Sequence, residues 1–119
     1  MLTSAAMEFG ERQATFTCST QAEPDQRVHV VGTEGRLLVE IPFNIPGDRT
    51  TRLLLTSGGD PPVAPNTEVI EIPPADQYIL QGDLFSAAVL SGGDLPIPSE
   101  DAIGNIRAIE MVLAADGLD

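Results

Sequence analysis

Three features of the sequence predict an α+β fold, a mostly antiparallel open sheet of about six strands with two helices packed on one face. Up to Ile72 the chain is built of short runs rich in β-branched residues and leucine, each bounded by turn residues. The links between these runs are short, which favours antiparallel neighbours. After Pro73-Pro74 apolar residues recur at helical spacing instead.

The clearest hairpin is Gln26 to Phe43, in which two apolar runs flank Gly32-Thr33-Glu34-Gly35. The two glycines are expected to supply the positive φ of a tight reversal, and the hairpin to form the centre of the sheet. Side chains alternate along a strand, so Val28 and Val30 share a face with Leu37, Val39 and Ile41. That face is wholly apolar. His29, Val31, Leu38 and Glu40 form a mixed opposite face, suited to partial cover or to another subunit.

Before the hairpin, Leu2 to Phe9 and Gln13 to Thr20 flank Gly10-Glu11. Ala14, Phe16 and Cys18 alternate with Thr15, Thr17 and Ser19, which predicts a strand with one face in the core. Gln21 to Asp25, with Pro24, is a connection. Beyond Pro42 and Pro46, Arg52 to Thr56 and Thr67 to Ile72 read as the last strands, joined by a loop with Gly58-Gly59-Asp60-Pro61-Pro62 at its tip.

Asp76 is placed to cap a first helix carrying Leu80, Leu84, Phe85, Ala88 and Val89, stopped by Ser91-Gly92-Gly93. Ser99 is the expected cap of a second, with Glu100 and Asp101 in its first turn and Gly117 at its close. Ala102, Ile106, Ile109 and Leu113, widened by Ile103 and Val112, make its stripe. Its apolar residues outnumber what one sheet-facing stripe requires, so Ile103 and Met111 are expected to stay uncovered. Gly82 and Gly104 each lie inside a helix, where glycine costs about 1 kcal/mol relative to alanine, and so predict close packing of another element.

A chain of 119 residues is long enough for one core, so residues 1–119 are read as a single domain. Eighteen acidic residues against six basic ones, all arginine, give a net charge of −12. Such a surface repels phosphate backbones and disfavours nucleic acid and anionic membranes as partners. A single cysteine, Cys18, excludes an intrachain disulfide and points to a reducing cytoplasm. No apolar run has the length of a membrane span, and the first residues lack the features of a signal peptide.

Little in the sequence carries chemistry. The glycine pairs lack the spacing and the strand-to-helix setting of a phosphate cradle. His29 is the only histidine, so a metal site has too few ligands. A Cys18–His29 nucleophile pair across neighbouring strands is conceivable, but a small buried Cys18 is the simpler reading. Asp76 with Asp83, and Glu100 with Asp101, read as capping or solvated residues rather than acid/base pairs. No catalytic, cofactor-binding or metal-ligating residue is assigned. Val31, Leu38 and Leu54 are the candidate interface residues, outward and apolar on adjacent runs, and self-association through the sheet is expected.

Four blocks carry a family resemblance: G-E-R-Q-A-T-F-T-C-S-T-Q, Q-R-V-H-V-V-G-T-E-G-R-L-L-V-E-I-P-F-N, D-Q-Y-I-L-Q-G-D-L-F-S-A-A-V and P-S-E-D-A-I-G-N-I-R-A-I-E. Together they resemble the later part of the C-terminal domain of Gfo/Idh/MocA-type NAD(P)-dependent oxidoreductases, from about Ala5 to Ala115. The resemblance implies an α+β substrate-side and oligomerisation domain of a sugar or cyclitol dehydrogenase, inactive alone. In such enzymes NAD or NADP is held by a preceding Rossmann domain, the implied partner of this chain. The family's glycine-rich fingerprint, catalytic lysine motif and histidine motif have no counterpart here, and His29 takes no role from them. The alternative is a free-standing acidic binding or dimerisation module derived from such a domain.

Overall fold

The computed structural model describes residues 2–58 and 66–115. Among them are six strands, all antiparallel to their neighbours, and two helices, an α+β fold. The strands divide into two sheets, and the chain into two compact units. The chain passes between them twice, after Pro24, which has no amide proton to continue a ladder, and after Gly93.

The first unit takes its described residues from Met1–Pro24 and Asp94–Asp119. Strands β1 (Leu2–Phe9) and β2 (Arg12–Ser19) pair from Leu2 opposite Ser19 to Phe9 opposite Arg12. Gly10 opens the two-residue turn at φ +64°, the glycine-first arrangement of a II′ hairpin. Thr3, Ala5 and Met7 are half-buried, alternating with exposed neighbours. Every residue of β2 is exposed, contrary to the core face expected for Ala14, Phe16 and Cys18. The reason is reach. Helix α2 (Ser99–Ala115) forms a groove with β1, and no β2 residue lines it.

Ser99 is the first residue of α2 rather than its cap. Its hydroxyl donates to Glu100 Oε2 at 3.4 Å, and the Pro98 carbonyl accepts the Asp101 amide at 3.1 Å. Glu100 and Asp101 do stand in the first turn. Ala108 and Val112 are half-buried and line the groove, whereas Ile106 falls about 160° round the helix from Ala108. Of the expected stripe, Val112 and Leu113 line the groove with β1, whereas Ala102, Ile103, Ile106 and Ile109 do not. Ile103 and Met111 are exposed as expected, at 52% and 73%, but so are the stripe residues Ile106, Ile109 and Leu113, so exposure does not set the excess residues apart from the stripe. Gly117 lies outside the described residues.

The second unit, Asp25–Gly93, holds β3 (Val28–Val31), β4 (Gly35–Val39), β5 (Thr51–Ser57), β6 (Asn66–Ile72) and α1 (Gln77–Ser91). The sheet order is β3-β4-β5-β6, so the hairpin forms one side of the sheet, not its centre, with β3 on the edge. The turn is closed by the Gly32 amide donating to the Gly35 carbonyl at 2.8 Å, and neither glycine has positive φ. Gly35 has a different reason to be glycine. A Cβ there would run into the Thr56 carbonyl oxygen and lie 3.3 Å from Ser57 Cα, so its absence lets β4 approach β5. Residues 59–65, with most of the predicted loop tip, lie outside the described residues.

Asp76 caps α1 as its position predicted, its carboxylate accepting the Tyr78 and Ile79 amides at 2.8 and 3.1 Å. Gly92, at φ +66°, ends the helix, and the Gly93 amide donates to the Ala88 carbonyl at 3.0 Å. Gly82 and Gly104 face open space, so the close packing expected at both is absent from the described residues. Of those residues only Ala88 and Thr56 are buried, which makes the core far smaller than a chain of this length can build.

Candidate interface on the four-stranded sheet

The register of β3 to β6 settles which side chains share a face. Val28 opposes Val39 and Val30 opposes Leu37, while Leu53 and Leu55 sit opposite Val39 and Leu37 on β5. Ile70 and Ile72 extend the apolar face predicted for the hairpin, and Glu68, opposite Leu55, places one carboxylate in its Val30–Leu37–Leu55 row. The other face is ordered into three cross-strand rows. His29, Leu38, Leu54 and Val69 form the middle row. On one side of it lie Val31, Arg36, Thr56 and Thr67, and on the other Glu40, Arg52 and Glu71.

The three candidate interface residues, Val31, Leu38 and Leu54, thus belong to one face. Val31 and Val69 are 73% and 50% exposed, and Leu38 and Leu54 are half-buried. The flanking rows are polar and partly paired. Arg52 grips Glu40 with two hydrogen bonds of 2.9 Å, Nε to Oε2 and Nη2 to Oε1, the forked geometry a guanidinium offers a carboxylate. Thr56 and Thr67 share a hydrogen bond of 3.0 Å between their hydroxyls. Arg36 has no hydrogen bond or ion pair to its side chain among the described residues. These rows were hidden from the sequence because Glu40–Arg52 and Thr56–Thr67 depend on register, which no single strand reveals.

The remaining titratable groups are dispersed. Cys18 is exposed on β2 of one sheet and His29 exposed on β3 of the other, so the neighbouring-strand pairing does not arise and the buried reading of Cys18 is also corrected. No group of three or more metal-ligating side chains occurs among the described residues. Arg27 and Asp25 pair at 2.8 Å on the surface, the hydrogen bond and then the charge raising the guanidinium's pKa. The groove between β1 and α2, about 650 Å³, is lined by residues such as Ala5, Met7, Met111 and Val112. No described helix is long and apolar enough to cross a membrane.

A dinucleotide does not fit the described helix starts. Pyrophosphate sites use free amides at a helix N-terminus after a glycine-rich turn. Here β6 leads to α1 through Pro73-Pro74-Ala75-Asp76, without glycine, and the Asp76 carboxylate already occupies the Tyr78 and Ile79 amides. Glu100 and Asp101 put like charge at the start of α2.

No family model and no solved structure matches the chain. The chain is 38% identical over 112 residues to a Rhizobium meliloti protein named "uncharacterized oxidoreductase ORF334". The match covers 93% of this chain and 33% of that protein, so the chain spans about a third of the relative's length.

Proposed function

We propose that this chain acts as a substrate-side and oligomerisation domain of an NAD(P)-dependent oxidoreductase of the sugar or cyclitol dehydrogenase type. The similarity over 93% of its length to a protein named an oxidoreductase and three times as long carries this reading. The four resemblance blocks and the exposed apolar residues of α2 support it. On this reading the cofactor belongs to a Rossmann domain supplied by other sequence, the enzyme works in the cytoplasm, and the mixed face of the four-stranded sheet joins copies of the chain.

Calorimetric titration of the 119-residue chain with NAD(H) and NADP(H) tests the division of labour. The expected result is no heat above that of dilution. Micromolar binding would sink the reading, because the acidic helix starts offer a pyrophosphate no purchase. In-frame coding sequence for a glycine-rich strand-turn-helix unit upstream would support it further. A true start signal with no such stretch would turn the choice to a free-standing binding module.

A further inference from the structure

We infer that the outer edge of β1 is the seat of a third strand, an uncharged extended segment supplied by the part of the longer oxidoreductase that lies outside this chain. This rests on the proposed function, in which the chain works as one part of such an enzyme. The hydrogen-bond register of the first hairpin fixes which backbone groups are free. Phe9 and Arg12 flank the two-residue turn and therefore bond each other through both backbone groups. Bonded and non-bonded pairs alternate from there, so Phe9, Met7, Ala5 and Thr3 direct their amides and carbonyls to β2. Glu8, Ala6, Ser4 and Leu2 direct theirs the other way. The 2.8 Å bond between the Ser4 and Thr17 hydroxyls fits the closer approach of a non-bonded pair. Since β1 pairs with β2 alone, the outward groups of these four residues have no backbone partner among the described residues.

The groove beside them has the form of a strand site. All eight residues of β1 line it, whichever face their side chains take, together with one side of α2 at Ala108, Val112 and Ala115. A cavity confined to one face of a strand would meet alternate residues, whereas one running along the edge meets them all. From Leu2 to Met7 the strand carries no charge, no proline and no bulge, the devices that keep a free edge from pairing. By contrast β6, at an edge of the other sheet, carries Glu68 and Glu71. A two-stranded sheet is marginal alone, and no described residue of this unit is buried. A third strand gives the outward amides and carbonyls main-chain partners and lays alternate side chains against Met111 and Val112. Glu8 is the sole charged residue among the lining ones, so an uncharged segment suits the groove. About two thirds of the relative's length has no counterpart in this chain, ample for a strand the length of β1.

Amide hydrogen exchange of the full 119-residue chain, read residue by residue by NMR, tests this with overlapping synthetic peptides from the unmatched part of the relative as probes. One peptide, or two that share a segment, should slow exchange at Leu2, Ser4, Ala6 and Glu8 at least about tenfold and leave Thr3, Ala5 and Met7 unchanged. If no peptide does so, or if the slowing ignores that alternation, the third strand is overturned. Slowing that occurs without peptide and grows with chain concentration would make a second copy the occupant and overturn the proposed source. Ala6→Pro should keep the hairpin, because the amide it removes faces away from β2, and should abolish the effect of the peptide. Should Ala6→Pro lose its strand signal in circular dichroism, Ala108→Glu serves in its place, setting a charge in the groove from α2. Peptide protection that persists in the folded variant would overturn the seat. Binding of NAD(H) would sink the proposed function without touching these amides, so the two failures are told apart.

Discussion

The same chemical change, glycine to alanine, should act with opposite sign at two positions of the second unit. Gly82 lies inside α1 with nothing within 4 Å of where its Cβ would stand. Alanine there removes the backbone entropy cost of a helical glycine and should stabilise by about 1 kcal/mol. Gly35 has a φ that alanine tolerates, so conformational strain is not at issue. Its added methyl would collide with the Thr56 carbonyl and crowd Ser57 Cα at 3.3 Å, backbone atoms that cannot rotate aside. Overpacking of this kind costs about 1–3 kcal/mol, against a gain of about 0.4–1 kcal/mol from a stiffer unfolded chain. The net expectation at Gly35 is a loss of about 1–2 kcal/mol.

Urea unfolding followed by far-ultraviolet circular dichroism reads both changes, since both sites report on one unit. The midpoints of Gly82→Ala and Gly35→Ala should bracket the wild type, separated by about 2–3 kcal/mol once multiplied by a common slope. A Gly35→Ala midpoint at or above wild type would refute the close approach of β4 to β5. A destabilising Gly82→Ala would show that another element does occupy the space beside α1.

Asp76→Ala should cost about 0.5–2 kcal/mol, as it leaves the Tyr78 and Ile79 amides without their acceptor, and Asp76→Asn should recover most of this; equal losses in both would refute capping. Cys18, exposed on β2, should react with a thiol reagent in the native chain as fast as in urea, and strong native protection would contradict its position. On the proposed self-association the melting temperature should rise with chain concentration, because exposed aliphatic residues on α2 and on the sheet would gain cover in a second copy. A melting temperature independent of concentration over two decades would count against that.

The features legible in the sequence are those that depend on a few neighbouring residues. Strand alternation, the Asp76 cap, the Gly92 stop and the face shared by Val31, Leu38 and Leu54 all follow from local periodicity. What could not be read was set by partners far along the chain. The hairpin's place at one side of the sheet depends on β5 joining β4 and on β6 following outward, choices that leave no mark within Gln26 to Phe43. The glycine at position 35 looked like a turn residue, but its cause is a carbonyl twenty-one residues later. Similarly, β2 has a clean apolar alternation and yet stays exposed, because α2 reaches only β1.

The acidity of the chain and the apolar character of its sheet bear on each other. Exposed aliphatic residues favour association, while twelve net negative charges per copy oppose it at long range. Repulsion between distant exposed charges is cut down beyond a Debye length, about 8–10 Å at physiological ionic strength, but pairs facing each other across a dry interface are screened much less. On the proposed self-association, a face that is charge-balanced, with Arg36 unpaired among the described residues and a row of leucine and valine beside it, attracts its copy at short range while the acidic remainder of the surface repels. The acidic excess, on that proposal, opposes contact elsewhere on the surface and leaves association to this charge-balanced face.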